Sequence, residues 1–283
     1  MANFRDSPRR RRFINRSLRS PKQAAIVVLT AAAVVLPIVL FFVFTAPWAW
    51  SHISPAIPIT VGYLALLCLS SLFRASVSDP GTLPRNLHAL QVDDFRGSYP
   101  SPSPASVLVQ TLQISSNKGS TKEEITVKYC ETCRIWRPPR SSHCRICDSC
   151  IEYSDHHCVW LNNCVGRRNY RYFFAFIAIG SLLAWYMFAV CVVHVVQQHA
   201  VSNARESFAL VIYTPVVGSY STTLLTYHCW LLSRGVSTHE HLRNLAVEQK
   251  TRPFDRGHAA LNLAAVLCRP RGPSYIDGAH GNG

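Results

Sequence analysis

The chain has 283 residues, 48% of them hydrophobic, and its 29 Lys and Arg against 15 Asp and Glu give a net charge of +14. The apolar residues gather in four long blocks instead of recurring at amphipathic spacing, which excludes an ordinary soluble domain and points to a membrane protein. Nucleic acid is the competing reason for so basic a chain, but it does not account for four apolar blocks, and no nucleic-acid partner is expected.

Residues 1–23 form a basic cytosolic leader whose run Arg9 to Arg12 lies in Pro/Arg/Ser-rich sequence that cannot bury a core. A glycosylation sequon, Asn15-Arg16-Ser17, falls on the side expected to be cytosolic and is discounted. The apolar blocks follow: Ala24 to Phe44, Ile53 to Phe73, Tyr172 to Gln197 and Phe208 to Leu232. Each reaches the roughly 20 helical residues that a hydrocarbon core of about 30 Å requires, and none contains Asp, Glu, Lys or Arg. The first block is too long for the apolar core of a signal peptide, and Ser51-His52 leads directly into the second, so residues 24–73 read as a transmembrane hairpin. Pro37, Pro55 and Pro58 are expected to kink these helices.

Charge gives the orientation. Eight Lys and Arg precede the first block, thirteen lie between the second and third, seven follow the fourth, and only Arg205 lies in a connection of the opposite side. The positive-inside tendency then places both termini and the central segment in the cytosol, with the basic charge beside the membrane lipid of that leaflet.

Residues 74–128 read as a cytosolic linker, flexible over the Ser/Pro-rich stretch Pro100 to Ser120. Residues 129–171 are different. Seven of the 11 cysteines fall there: Cys130, Cys133, Cys144, Cys147, Cys150, Cys158 and Cys164. In a reducing compartment such density indicates metal binding or catalysis, not disulfides. Two-residue gaps let a turn aim two thiolates at one tetrahedral ion. With His143, His156 and His157 there are ten potential ligands, while two zinc ions take eight, and spacing alone permits several assignments. In Asp155-His156-His157-Cys158 a carboxylate can orient an imidazole, which can take the proton of a thiol. Side chains of neighbours in a strand point to opposite faces, so this compression is expected to need an irregular backbone. A purely zinc-binding membrane module uses the same ligands and is the rival from another class; a zinc transporter would want ionisable ligands within the spans.

The run Asp155-His156-His157-Cys158, with Cys130-Glu-Thr-Cys133, Arg137-Pro-Pro-Arg140, His143-Cys144-Arg-Ile-Cys147-Asp-Ser-Cys150 and Asn163-Cys164-Val-Gly166 to Asn169, resembles the DHHC family of protein S-acyltransferases. Asp79-Pro80-Gly81 and Ser237-Thr238-His239-Glu240 resemble that family's DPG and TTxE elements, with Ser237 in place of the first Thr, and Val159 follows Cys158 where many members have Pro. The resemblance implies an α-helical integral membrane protein: four transmembrane helices, a cytosolic zinc-binding cysteine-rich domain (129–171) between the second and third, helices again over 172–232, and a cytosolic tail from 233 to 283.

It implies one structural zinc on Cys130, Cys133, His143 and Cys150 and a second on Cys144, Cys147, His157 and Cys164. Asp155, His156 and Cys158 are then free to move a long-chain acyl group from acyl-CoA, palmitoyl-CoA foremost, to cytosolic cysteines of other proteins. Arg137, Arg140, Arg167, Arg168 and Arg171 are candidates to meet the cofactor's phosphates. The stretch Cys158 to Tyr172 is most similar to the fungal branch of the endoplasmic reticulum that acylates Ras, which implies Ras-like GTPases as substrates, an accessory subunit and residence in that organelle, with the Golgi as the alternative. Asn262 and Pro253-Phe254 resemble a tail element that packs against the zinc domain. Cys68, Cys191 and Cys229 read as packing residues, and His194 and His228 as imidazoles bonded to a neighbouring helix.

Overall fold

The computed structural model describes residues 21–85, 107–116, 119–198, 204–247, 252–270, 272 and 274; most of the basic leader, with the Asn15 sequon, and residues 86–106 of the linker lie outside them. Four helical runs are long and apolar enough to cross a membrane: Ala25–His52, Ala56–Val77, Tyr170–Gln197 and Arg205–Ser233.

The first run is α1 (Pro21–Leu40), one π-type turn (Phe41–Thr45) and α2 (Ala46–His52). Pro37 stays inside regular helix, and the change of register falls near Pro47 instead. Pro47 has no N–H to offer the carbonyl four residues back, and Ala46 N–H reaches five residues back to Phe41 O. Helix α3 (Ala56–Val77) begins after Pro55. Pro55 and Pro58 occupy the cap and first turn, where no intrahelical donor is lost, so they start this helix without kinking it. The connection is therefore Ile53 to Pro55, later than the expected Ser51-His52.

Within the stretch 100–120, whose composition suggests a flexible linker, the described residues 107–116 and 119–120 lie in strands. Strands β1 (Val107–Ser116) and β2 (Gly119–Cys130) pair antiparallel in register, and β2 continues to β3 (Ile135–Trp136). The sequence reason is the alternation of Val107 and Val109 in β1 and of Ile125, Val127 and Tyr129 in β2. Two further antiparallel hairpins follow, β4 (Ser142–Cys144) with β5 (Ser149–Ile151) and β6 (His156–Cys158) with β7 (Asn163–Val165). Arg134 and Asp148, each directly after the second cysteine of a two-residue-gap pair, have positive φ, as a tight turn around one ion demands.

Helices α4 (Tyr170–Gln197) and α5 (Arg205–Ser233) pack together, and α3 packs on α4. One buried cluster, with Phe41, Val61, Met187 and Leu210, fills the bundle; a second, with Ala75, Cys158, Leu161, Val165, Phe173 and Leu232, joins the helix ends to the cysteine-rich segment. Far from that segment, Ser207 Oγ lies 2.7 Å from both Thr45 Oγ1 and His194 Nδ1, and Trp48 stacks on His194.

Two buried asparagines hold the segment on the helices. Asn163 Nδ2 donates to the carbonyls of Ala75, Ser76 and Ser78 at 2.9 to 3.2 Å, at the C-terminal end of α3 where helix carbonyls lack intrahelical donors. Asn169, fully buried, donates to Ala75 O and Cys164 O and accepts from Gly166 N–H. Asp79 Oδ1 accepts from Gly81 and Thr82 N–H, and the turn it makes is stitched to β5 by Leu83 N–H to Cys150 O and Glu152 N–H to Gly81 O. Gly166 is needed for this approach, because a Cβ there would lie 2.5 Å from Pro80 O. Asn169→Ala removes the acceptor of Gly166 N–H and the side-chain donor to Cys164 O, while Ala75 O keeps Asn163, and is expected to lower unfolding stability by about 2–4 kcal/mol, read as a lower midpoint of thermal unfolding in detergent; an unchanged midpoint would contradict this clamp.

After α5 come α6 (Thr238–Val247) and α7 (Ala259–Leu267), the latter against α4 and α5. Asn262, 2% exposed, donates to Ser233 O and Asp255 Oδ1.

Candidate active site and metal clusters

Strand register brings the metal-ligating side chains together. Pairing of β4 with β5 sets His143 opposite Cys150, and pairing of β6 with β7 sets His157 opposite Cys164. The loop between β2 and β3 brings Cys130 and Cys133 to the first pair, while the loop of the first hairpin brings Cys144 and Cys147 to the second. The hairpin of β4 and β5 thus supplies ligands to both clusters, and the two clusters interleave in sequence. His143 Nδ1 lies 3.6, 3.4 and 3.8 Å from the sulfurs of Cys130, Cys133 and Cys150; His157 Nδ1 lies 3.7, 3.4 and 3.5 Å from those of Cys144, Cys147 and Cys164. Zinc bond lengths of about 2.3 Å to sulfur and 2.0 Å to nitrogen give a tetrahedral edge of about 3.5 Å. Donor set and spacing both fit zinc, with four protein ligands in each cluster.

The same strand explains how four consecutive residues divide between two tasks. No irregular backbone is required: along β6 alternate side chains face opposite ways, so His157 turns to the cluster while His156 and Cys158 share the other face. Cys158 is 7% exposed and lies in the apolar cluster at the helix ends. His156 packs edge-on to Phe173 at 5.1 Å, and its Nδ1 lies 2.6 Å from Asp155 Oδ2. Burial opposes charge on His156, but hydrogen bonds to Asp155 and to the Cys158 thiol outweigh it and push the imidazole up to about 9. Asp155 is buried, which alone would raise its carboxyl; the His156 hydrogen bond and charge and the Thr238 N–H hold it below the ordinary value.

That N–H, donating to Asp155 Oδ1 at 2.9 Å, comes from the first turn of α6. The turn is a reciprocal cap: Ser237 N–H donates to Glu240 Oε2 and Glu240 N–H to Ser237 Oγ. Serine supplies the same hydroxyl as threonine, so Ser237 keeps the cap. Glu240 also accepts from Arg140 Nε and Nη2, at 2.7 and 2.6 Å, and Arg140 Nη2 donates to Gly235 O while the guanidinium stands 4.6 Å over the Phe254 ring. Arg140 therefore ties the cysteine-rich segment, the α6 cap and the tail together. Arg140→Lys cannot reproduce the fork, and Arg140→Ala is expected to cost about 2–4 kcal/mol by stranding Glu240. Urea or thermal unfolding of the detergent-solubilised chain measures it; a loss under half a kcal/mol would contradict the role.

The other four arginines are placed differently. Arg167 pairs with Glu152, and Arg168 pairs with Asp79 at 3.3 Å and donates to Gly272 O. Arg137 and Arg171 donate to the carbonyls of Lys128 and Arg269. His228 of α5, read from the sequence as an imidazole bonded to a neighbouring helix, is 1% exposed with Nδ1 2.9 Å from Tyr170 OH at the start of α4, and it also stands beside the Asp155–His156 pair, which the sequence did not indicate. An ionisable residue inside an apolar block was its only signal.

A family model described as DHHC palmitoyltransferase matches residues 123–245. Palmitoyltransferase erf2 of Emericella nidulans is 44% identical over 264 residues, covering 88% of this chain and 43% of that protein. Palmitoyltransferase erf2 of Schizosaccharomyces pombe is 38% identical over 275 residues, 92% of this chain and 76% of that one. Human palmitoyltransferase ZDHHC14 is 34% identical over 290 residues, 94% of this chain and 57% of that protein. The chain spans less than half of the first relative and about three quarters of the second. Over nearly all of its own length, and through each element that builds the two clusters and the Asp155–His156–Cys158 face, the chain belongs to the DHHC palmitoyltransferase family.

Proposed function

We propose that the chain is a protein-cysteine S-palmitoyltransferase working by two thioester exchanges. The observation that carries this reading is the shared face of β6: His156, held by Asp155, beside a Cys158 thiol that opens onto the apolar ends of the membrane helices. In the first exchange His156 takes the thiol proton and the Cys158 sulfur attacks the thioester carbonyl of palmitoyl-CoA; the C–S bond to CoA breaks, and CoA leaves as the thiol with the proton returned by His156. In the second, His156 takes the proton of a substrate cysteine, whose sulfur attacks the acyl-enzyme and restores Cys158. One thioester is exchanged for another, so no energy source is required.

The position at the helix ends suits a substrate of mixed character. Each methylene of the acyl chain removed from water contributes about 0.8 kcal/mol. For the CoA phosphates, Arg137 and Arg171 are favoured, because their hydrogen bonds go to backbone carbonyls, whereas Arg140, Arg167 and Arg168 face carboxylates. Zinc, when bound by the two clusters, supplies structure alone, since four protein ligands leave no position for a reacting group. The basic distribution supports cytosolic termini and a cytosolic site. The similarity of Cys158 to Tyr172 to the Ras-acylating branch supports Ras-like GTPases as substrates, an accessory subunit and the endoplasmic reticulum.

The test is transfer of labelled palmitate from palmitoyl-CoA to the purified chain and on to a cysteine peptide. Hydroxylamine-labile label should form on the chain and pass to the peptide, and Cys158→Ser should acquire none. Label on Cys158→Ser, with none on a Cys164→Ser chain that retains its zinc, would reverse the assignment of nucleophile and ligand.

A further inference from the structure

Helix α6 is fastened at its first turn, where the Ser237–Glu240 cap, Arg140 and Asp155 meet. Beyond that turn Leu242 and Leu245 are 58% and 64% exposed, more than any other large apolar residue described in the tail. At about 100° per residue they share one side of the helix with His241, while Glu240 and Arg243 lie on the opposite side. His241 fixes where the apolar side points. Its ring stands edge-on to Trp230 at 5.0 Å and to Tyr227 at 6.1 Å. These two rings, stacked on each other, belong to the end of a helix long and apolar enough to cross a membrane, and tryptophan and tyrosine at such an end sit at headgroup level. Arg234, the first residue after that helix, stands 4.3 Å over the Trp230 ring. The apolar side of α6 therefore continues the exposed side of α5 that carries Trp230, at the depth where hydrocarbon begins.

We propose that α6 is an interfacial helix whose Leu242 and Leu245 are seated in the lipid surface beside the end of α5, and that this seat holds the turn supplying Thr238 N–H to Asp155. Leu242 and Leu245 are then positioning residues: they touch no reacting group and act through the bond that joins α6 to the carboxylate behind His156. A bilayer fits this side better than a protein does, because its neighbours are the aromatic pair and the arginine that flank a membrane span. The seat rests on the membrane helices alone. Its effect on acyl loading rests on the proposed function.

The test uses the purified full chain in phosphatidylcholine vesicles whose acyl chains carry bromine near the glycerol end, because an interfacial helix buries its apolar face about 5–10 Å into the boundary of headgroups and chains. A fluorescent amino acid in place of Leu245 should be quenched by the bromines, and one in place of Arg243 should not. No quenching at 245, or equal quenching at both positions, overturns the seat, whether solvent or a protein then covers the leucines. The link to Asp155 is read by single-turnover acyl loading in the same vesicles. Leu242→Asp combined with Leu245→Asp should slow loading by about 10–100-fold, the worth of one hydrogen bond to a carboxylate. Leu242→Met combined with Leu245→Met should load at the wild-type rate. Thr238→Pro removes the N–H at the first position of α6, where a helix accepts proline; it should slow loading as much, and the two aspartates should then add nothing further. Losses that multiply overturn the link. Two zinc ions on each variant show that its fold survives. A wild-type chain that is quenched at 245 but never loads upholds the seat and overturns the proposed function, and the link falls with it. One that loads without quenching overturns the seat and leaves the function standing.

Discussion

His156→Ala should load acyl groups about 10²–10⁴-fold more slowly than the wild-type chain, the usual contribution of a positioned general base. The reasoning is local. The imidazole is the one group whose hydrogen bonds reach both the Asp155 carboxylate and the Cys158 thiol, and no other described side chain replaces it on that face of β6. Asp155→Asn should also slow loading, because an amide can present its N–H to Nδ1 and leave the proton on the wrong nitrogen for the thiol. Both variants should keep two zinc ions, since neither residue belongs to either cysteine–histidine cluster. Single-turnover loading with palmitoyl-CoA measures the rate, and metal analysis of the same sample shows whether the scaffold survived. A His156→Ala chain that loads within threefold of wild type would remove the base from the mechanism.

Loss of zinc should have a larger and less selective effect. The cysteine-rich segment has strands of two or three residues after β2, and its own buried apolar cluster is small, with Leu83 among cysteines. Structural zinc sites contribute apparent binding energies of about 10–16 kcal/mol in small zinc-dependent domains, well above what this core supplies. A chelator strong enough to extract both ions should therefore unfold residues 130 to 165, open them to protease and abolish loading, while the helices remain membrane-embedded. Cys164→Ser should do the same through one cluster, and the interleaving extends the damage, because the hairpin of β4 and β5 serves both clusters. Limited proteolysis with zinc counting distinguishes this from Cys158→Ser, which should lose loading with both ions and the protease-resistant core intact. A chelated chain that loads at the wild-type rate would contradict a structural role for zinc.

Hydropathy is legible from composition because lipid burial forbids charge over some twenty residues, and the four apolar blocks correspond to the four long helices. Their ends were less legible. Pro47 alters the helix where Pro37 does not, and which proline matters depends on packing around Phe41 and Thr45, both buried. The hairpin of β1 and β2 hid behind Ser, Gln and Thr, whose polarity resembles a linker. Spacing supplied ten ligands for two ions and left the division open; cross-strand register, which pairs His143 with Cys150 and His157 with Cys164, is what groups them in space. Asp155 needs Thr238, 83 residues away, and no local pattern announces a bond of that range. His228 is a solitary imidazole in sequence, and only the packing of α5 on the start of α4 brings it beside His156.

The central claim, that Cys158 carries the acyl group, is tested most directly by intact-protein mass spectrometry after incubation with palmitoyl-CoA, followed by peptide mapping. The account predicts a mass increase of one palmitoyl group, removed by hydroxylamine and located on the peptide that contains Cys158. A chain that gains no mass while holding both zinc ions, or that carries the group on another cysteine with Cys158 free, would contradict it.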